Sequence, residues 1–149
     1  MADFSVTLAA LAALTLAHPL PAVDAREVHC LAEVAFYEAR GESQRGQRMV
    51  MDVVLNRVAH PDFPKTVCGV IRQRGQFTYR RSPRAMAERG GPAAWDRAVR
   101  LAAFRLAGWL PPLTQEATHF YNPRIARPDW ARRGQLIAQV GDHAFVRVR

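Results

Sequence analysis

The apolar residues of this chain change their spacing once, at Pro111-Pro112. Before the two prolines they recur every three or four residues, the period of a helix that buries one face. After them they alternate, the period of a strand. With 149 residues there is room for one domain with a real core and too little for two ordinary ones. The single switch therefore predicts an α+β domain, mostly helical, with helices first and a small antiparallel sheet last.

Residues 26–39 carry the first helical pattern. Leu31, Val34, Ala35 and Glu38 fall at i, i+3, i+4 and i+7 on one face, and Glu33 is directed away from it. Gly41 stops this helix, and Ser43 caps a second that runs to about residue 58 on a stripe of Val50, Val53, Val54 and Val58, with Gln47 on the same side. His60-Pro61-Asp62-Phe63-Pro64 is a loop, because proline and the residue before it both resist helix. A short helix is expected over 66–72 and a short strand or turn over 75–79. Ser82-Pro83 starts another helical turn, which Gly90-Gly91 ends. Pro92 suits the first position of the next helix, with Trp95, Val99, Ala102 and Leu106 on one face and Gly108 as its stop. Thr118-His119-Phe120-Tyr121 reads as a strand, and residues 135–140 and 143–148 as a hairpin about Gly141-Asp142.

Among the side chains able to do chemistry, Glu38 stands out. A carboxylate on an apolar helix face loses hydration, which disfavours its charged form and raises its pKa, as a general acid at neutral pH requires. The ordinary structural reading is a glutamate paired with Arg40 or Arg57. Glu42, just past Gly41, reads as structural support at a helix N-terminus. Cys30 and Cys68 close one disulfide in an exported protein, or are two buried thiols in the cytosol. No C-x-x-C pair and no cluster of four ligands occurs, so no metal or cofactor is expected. Neither cysteine has a histidine at motif spacing. His29, His119 and His143 read as core or strand-surface residues.

The net charge is +8, and Lys65 is the only lysine among 21 basic residues. Such a surface attracts a polyanion such as nucleic acid, anionic lipid or an acidic cell-wall polymer, unless the scattered arginines are only a solvated face. Trp95, Trp109 and Trp130 sit in core-like or loop positions without the paired aromatics of a base-stacking strand, so nucleic acid is not the expected partner. Residues 1–25 read as an export signal or anchor. Their apolar run from Val6 to Ala17 has signal-peptide length, and Val23-Asp24-Ala25 offers a cleavage site before Arg26. The first five residues, however, hold no Lys or Arg. Unless this leader stays uncleaved, no stable membrane span is expected, and the remaining 26–149 form the catalytic domain, expected to be monomeric.

Eight blocks in order carry a resemblance. Cys30-Leu31-Ala32 with Tyr37-Glu38-Ala39-Arg40-Gly41-Glu42, Gly46-Gln47 and Val53-Val54-Leu55-Asn56-Arg57-Val58 resemble the signature of the SleB/CwlJ-type cell wall hydrolases. Phe63-Pro64 with Thr66-Val67-Cys68-Gly69-Val70-Ile71, Gln76-Phe77-Thr78, Ala117 to Pro123, Trp130-Ala131 and Gly141-Asp142-His143-Ala144-Phe145 continue it to about residue 147. The resemblance implies a lysozyme- or lytic-transglycosylase-like fold that cleaves peptidoglycan glycan strands in the periplasm or cell envelope, or at a cell wall reached by a phage. The implied acid is Glu38.

A hydrolase needs two carboxylates about the scissile bond, whereas a lytic transglycosylase needs one. Glu38 is the one well-placed acid, and Glu42, Asp52, Asp129 and Asp142 are uncertain seconds. The expected activity is therefore transglycosylation at the MurNAc–GlcNAc bond. A hydrolytic muramidase or phage endolysin of the same fold, or a peptidoglycan-binding module that does not cut, is the alternative, and a basic nucleic-acid-binding protein is more distant. Tyr37, Gln76, Phe77, Tyr121 and Asn122 are the candidate groove residues, with polar donors for sugar hydroxyls and acetamides and aromatic faces for the rings.

Overall fold

The computed structural model of the chain describes residues 22–39, 41–77, 79 and 82–149. Most of the expected leader lies outside the described residues. The helices are α1 (Ala25–Glu38), α2 (Gln44–Ala59), α3 (Val67–Ile71), α4 (Pro83–Glu88) and α5 (Gly91–Leu106). Strand β1 (His119–Tyr121), helix α6 (Asp129–Arg133) and strands β2 (Gln135–Val140) and β3 (His143–Arg147) follow. The α+β class and the order of helices before sheet are as the apolar spacing predicts. The single turn of α6 is not foreseen, and the 75–79 segment forms no strand among its described residues.

The central element is α1. Asp24 caps it, its carboxylate accepting the Arg26 N–H at 2.8 Å, and Val23 packs on the core just ahead. A cut before Arg26 would remove both residues. Helices α2, α3 and α5 all pack against α1. As a result Val28 and every residue from Cys30 to Tyr37 are buried. The one-face reading is corrected here, because Glu33 is only 5% exposed and accepts the Tyr79 hydroxyl at 3.3 Å. A helix with neighbours on several sides has no solvent face to which a polar residue can turn. Its polar group is instead satisfied by partners, since burying it unpaired would be costly.

Two devices tie α1 to α3. A disulfide joins Cys30 to Cys68, with Cα atoms 5.3 Å apart. The Glu27 carboxylate also accepts the Val67 and Cys68 N–H groups at 2.6 and 3.3 Å. It thereby satisfies backbone donors that a helix start leaves without partners, beside the Thr66 cap on Gly69 at 3.0 Å.

Helix α2 buries Val50, Val53 and Val54 as its stripe predicts. On α5 the fully buried residues are Ala98, Leu101 and Ala102, while Trp95, Val99 and Leu106 are only partly covered. Small side chains at 98 and 102 let α5 lie close on α1, which displaces the bulky residues to the edge of the contact. The sheet has the order β1-β3-β2 and is antiparallel throughout. A bulge at Ile137 shifts the β2–β3 register between Leu136 and Ala138. Strand β3 is central and buries Ala144, Phe145 and Val146. No helix among the described residues is long and apolar enough to cross a membrane.

The disulfide closes a loop of 38 residues, which in the chain-entropy model contributes about 4 kcal/mol. Urea unfolding with and without reductant measures this. The reduced protein is expected to unfold at a clearly lower midpoint, and thiol titration of the oxidised native protein to find no reactive thiol.

Candidate active site

Helix α1 ends at Glu38, and its C-cap Ala39 donates its N–H to the Ala35 carbonyl at 3.1 Å. Gly41 then takes a left-handed φ of 72°, which a side chain would resist. The Glu42 N–H returns to the Ala39 carbonyl at 3.1 Å. Ser43 caps α2 through the Gly46 N–H at 3.2 Å. The acid therefore stands at the junction of two helices. It is half-buried, and burial raises its pKa above the usual carboxylate range, while the Arg89 guanidinium pulls weakly the other way.

Glu38 opens into a cleft of about 440 Å³. Phe120, Tyr121 and Asn122 from the end of β1, Ile125, Ala126 and Pro128 from the loop after it, and Asp142 and His143 from the β2–β3 turn line it together, with the Phe120 and His143 rings 5.3 Å apart. Three side chains of α2 bring β1 there. Asp52 is fully buried, accepts Arg105 Nε at 2.8 Å and also holds the Leu113 and Thr114 N–H groups at 2.6 and 3.1 Å. Asn56 donates to the Thr114 and Ala117 carbonyls at 3.2 and 2.8 Å. Arg57 donates from Nε to the Thr118 carbonyl at 2.7 Å. A one-turn slip of the segment before β1 would leave these buried groups without partners, at a cost of about 1–3 kcal/mol each.

Glu42 performs the matching task on the other side. Its carboxylate is 7% exposed and accepts the Asp142 N–H at 2.9 Å. It fills the space that a side chain at Gly141 would need and lies against Gly46. His143 Nδ1 approaches the same carboxylate at 3.5 Å but forms no hydrogen bond with it. Burial lowers the His143 pKa despite the opposing pull of Glu42 and Asp142, so the imidazole is neutral at neutral pH. Glu42 thus latches the β2–β3 turn onto the helix junction, in the supporting role expected of it.

Of the other carboxylates, Asp52 is consumed by Arg105 and backbone, and Asp129 is exposed on α6, away from the cleft lining. Asp142 lines the cleft and pairs with Arg124 at 3.2 Å.

The structure separates the remaining candidates. Tyr121 and Asn122 line the cleft with Glu38. Tyr121 is backed by the Trp130 ring at 5.6 Å, edge-on. The Asn122 side-chain oxygen accepts the Arg124 N–H at 2.9 Å, leaving its amide nitrogen to donate. Tyr37 is buried and does not join the cleft lining. It stacks on Tyr79 at 4.7 Å and lies under the Arg89 guanidinium at 5.2 Å, the group that acts on Glu38. Gln76 and Phe77 lie around Arg57 and not on this lining: Gln76 Oε1 accepts Arg57 Nη1 at 3.0 Å, and the Phe77 ring sits 5.7 Å from the guanidinium. With Phe63 on the same cation at 5.2 Å, burial lowers the Arg57 pKa to about 10, so it stays charged. Burial and that charge lower His119 to about 4, so His119 is a neutral ring against Trp130 at 4.9 Å.

Phe120 and His143 lie in two of the blocks that carry the resemblance but are not singled out as groove residues, and the 125–128 lip lies in none of them. A second cleft, about 420 Å³, opens near Asn56, His60 and Arg147. Its acidic side chain, Glu116, is more than half exposed and held by Arg147 at 2.9 Å, so it offers no desolvated acid.

Residues 41–146 match the family model described as Cell Wall Hydrolase. Spore cortex-lytic enzymes are similar in sequence. That of Bacillus subtilis is 33% identical over 120 residues, 80% of this chain and 37% of the relative. That of Oceanobacillus iheyensis is 32% identical over 123 residues, 80% of this chain and 41% of the relative. The chain thus spans about two fifths of the length of these relatives. Among solved structures, the catalytic domain of the germination-specific lytic transglycosylase SleB from Bacillus anthracis superposes with a TM-score of 0.65 at 28% identity, covering 87% of this chain and 100% of that domain. The catalytic domain of Bacillus cereus SleB gives 0.63 at 28% identity, covering 85% and 94%.

The latch makes Gly141 a sensitive position. Its φ is 58°, and a Cβ there would overlap Glu42 Oε2. Gly141→Ala is expected to lose about 2 kcal/mol by displacing the hairpin turn. Gly108→Ala, at a left-handed φ of 78° with open space around it, is expected to lose less stability. Thermal unfolding of the two variants checks both.

Proposed function

The chain belongs to the cell wall hydrolase family, and on that premise we propose that it cuts the glycan strands of peptidoglycan as a lytic transglycosylase, with Glu38 as its acid and base. The observation that carries the reading is a carboxyl group at the end of a buried helix, its pKa raised by burial, facing an open cleft. Protonated Glu38 gives its proton to the oxygen linking MurNAc to GlcNAc, and the C1–O bond breaks toward an oxocarbenium-like state. The carboxylate so formed takes the proton of the MurNAc C6 hydroxyl as O6 closes onto C1. A 1,6-anhydro end leaves, and Glu38 is protonated again for the next turn. One residue serves both steps, so the engagement of Glu42 and Asp52 in structural bonds is no obstacle.

Tyr121 offers a ring face, and Asn122 an amide donor, to the sugar that occupies the cleft. Asp142 in the same cleft lining favours one second reading, a hydrolytic muramidase in which a second carboxylate aids attack by water. The substrate lies outside the cytoplasmic membrane, so the domain works in the periplasm or cell envelope, or at a wall reached by a phage. The disulfide suits such an oxidising compartment. Residues 1–25 then act as the export signal or anchor.

Glu38→Gln is expected to fold as the wild type and to lose turnover of purified sacculi by about 100-fold or more. Retained activity would sink the proposal. Mass spectrometry of wild-type products separates the chemistries, since anhydromuramic ends report transglycosylation and reducing ends report hydrolysis. Binding without any product would leave the peptidoglycan-binding module.

A further inference from the structure

The carboxylate and amide acceptors that line the cleft are largely engaged within the protein. The Asn122 side-chain oxygen takes the Arg124 N–H, and Asp142 pairs with the Arg124 guanidinium. Glu42 takes the Asp142 N–H and is almost fully buried. Glu38, when protonated, donates. His143 differs from all of these. It lines the same cleft, and its side chain is 12% exposed. Nδ1 alone of its two ring nitrogens is sealed from solvent without a hydrogen bond. Nε2 is therefore the one that a ligand in the cleft can meet.

The ring is held by its neighbours. Phe120 meets it edge-on at 5.3 Å and Phe145 at 6.2 Å. Its Nδ1 faces Glu42 Oε1 at 3.5 Å. A neutral imidazole carries a proton on one nitrogen and a lone pair on the other. A carboxylate accepts and cannot donate, so a lone pair on Nδ1 would be directed at the lone pairs of Glu42. A proton on Nδ1 turns that repulsion into attraction and leaves the lone pair on Nε2. Burial keeps the ring neutral at neutral pH against the pull of Glu42 and Asp142, so Nε2 stays an acceptor.

A fixed acceptor of this kind suits a hydroxyl. An acetamide N–H is confined to the plane of its amide, whereas a hydroxyl turns its hydrogen toward the partner. A few placed polar groups are what orient a ligand in a cleft. We infer that His143, its proton held on Nδ1 by Glu42, offers Nε2 as the acceptor for a hydroxyl of the sugar that occupies the cleft, and is thereby a substrate-binding residue beside Glu38. The inference rests on the peptidoglycan reading above and adds a residue to it. Glu42 then has a second task besides latching the turn, which is to select the tautomer of His143.

The test reads the ring and its ligand without cleavage, so that it is separate from the proposed activity. Glu38→Gln protein labelled with ¹⁵N is titrated with the tetrasaccharide of alternating GlcNAc and MurNAc, and long-range ¹H–¹⁵N spectra report the two nitrogens of His143. The free protein is expected to show a protonated Nδ1 and a bare Nε2. Adding the saccharide is expected to move the Nε2 signal much more than the Nδ1 signal, together with the side-chain amide of Asn122. Adding His143→Phe, which keeps a ring against Phe120 and lacks the acceptor, is expected to weaken saccharide binding about tenfold. The spectra need no change at position 143, so the test stands even where that variant folds poorly. A proton on Nε2 in the free protein would overturn the inference, as would an Nε2 signal that stays still while the Asn122 amide moves, or an unchanged affinity in the folded His143→Phe variant. A saccharide that moves neither signal would overturn the peptidoglycan reading and this inference with it.

Discussion

Everything in this domain depends on the burial of one helix. From Cys30 to Tyr37 no residue of α1 reaches solvent appreciably, because α2, α3 and α5 close around it. Close-packed surroundings of this kind leave little room for a helix to shift or roll. The disulfide and the Glu27 cap on α3 fix it further. Beyond its exposed first turn and His29, the helix comes out of the core only at its last residue, Glu38. The packing that stabilises the fold therefore also determines how far the carboxyl group is withdrawn from water, and with it the raised pKa.

The second half of the site is brought to Glu38 by polar side chains. Asp52, Asn56 and Arg57 are on one helix, and all three bond to backbone between Leu113 and Thr118. Apolar contact alone tolerates sliding, whereas hydrogen bonds to particular carbonyls and N–H groups specify one register. Glu42 then holds the hairpin turn from the opposite direction. The cleft is the seam between helices and sheet, with a polar fastening on each side. These buried charges serve placement, and removing one partner would strand the other in a dry environment.

The elements were largely legible in the sequence because their signals are local. Ser43, Thr66 and Ser82 each cap the helix expected after them, and the strands follow the alternation after Pro112. Glu38 was legible as an apolar-face carboxylate before a glycine stop, and Glu42 as support. The role of Glu33 was not, since periodicity assumes one solvent face and residues 30–37 of α1 have none. Gln76 and Phe77 looked like sugar-binding residues from their types alone. Nothing local reveals a buried arginine 19 residues earlier that takes both as partners. The lip at 125–128 has no periodic signal, because a loop's position in a cleft depends on the elements at its two ends.

The central claim is that burial raises the pKa of the Glu38 carboxyl above that of an ordinary glutamate. A ¹³C-detected titration of the glutamate side-chain carboxyls tests this most directly, with the Glu38 signal assigned by its absence from Glu38→Gln. The account predicts a midpoint clearly above the usual glutamate value of about 4.3. A midpoint at or below that value would contradict it.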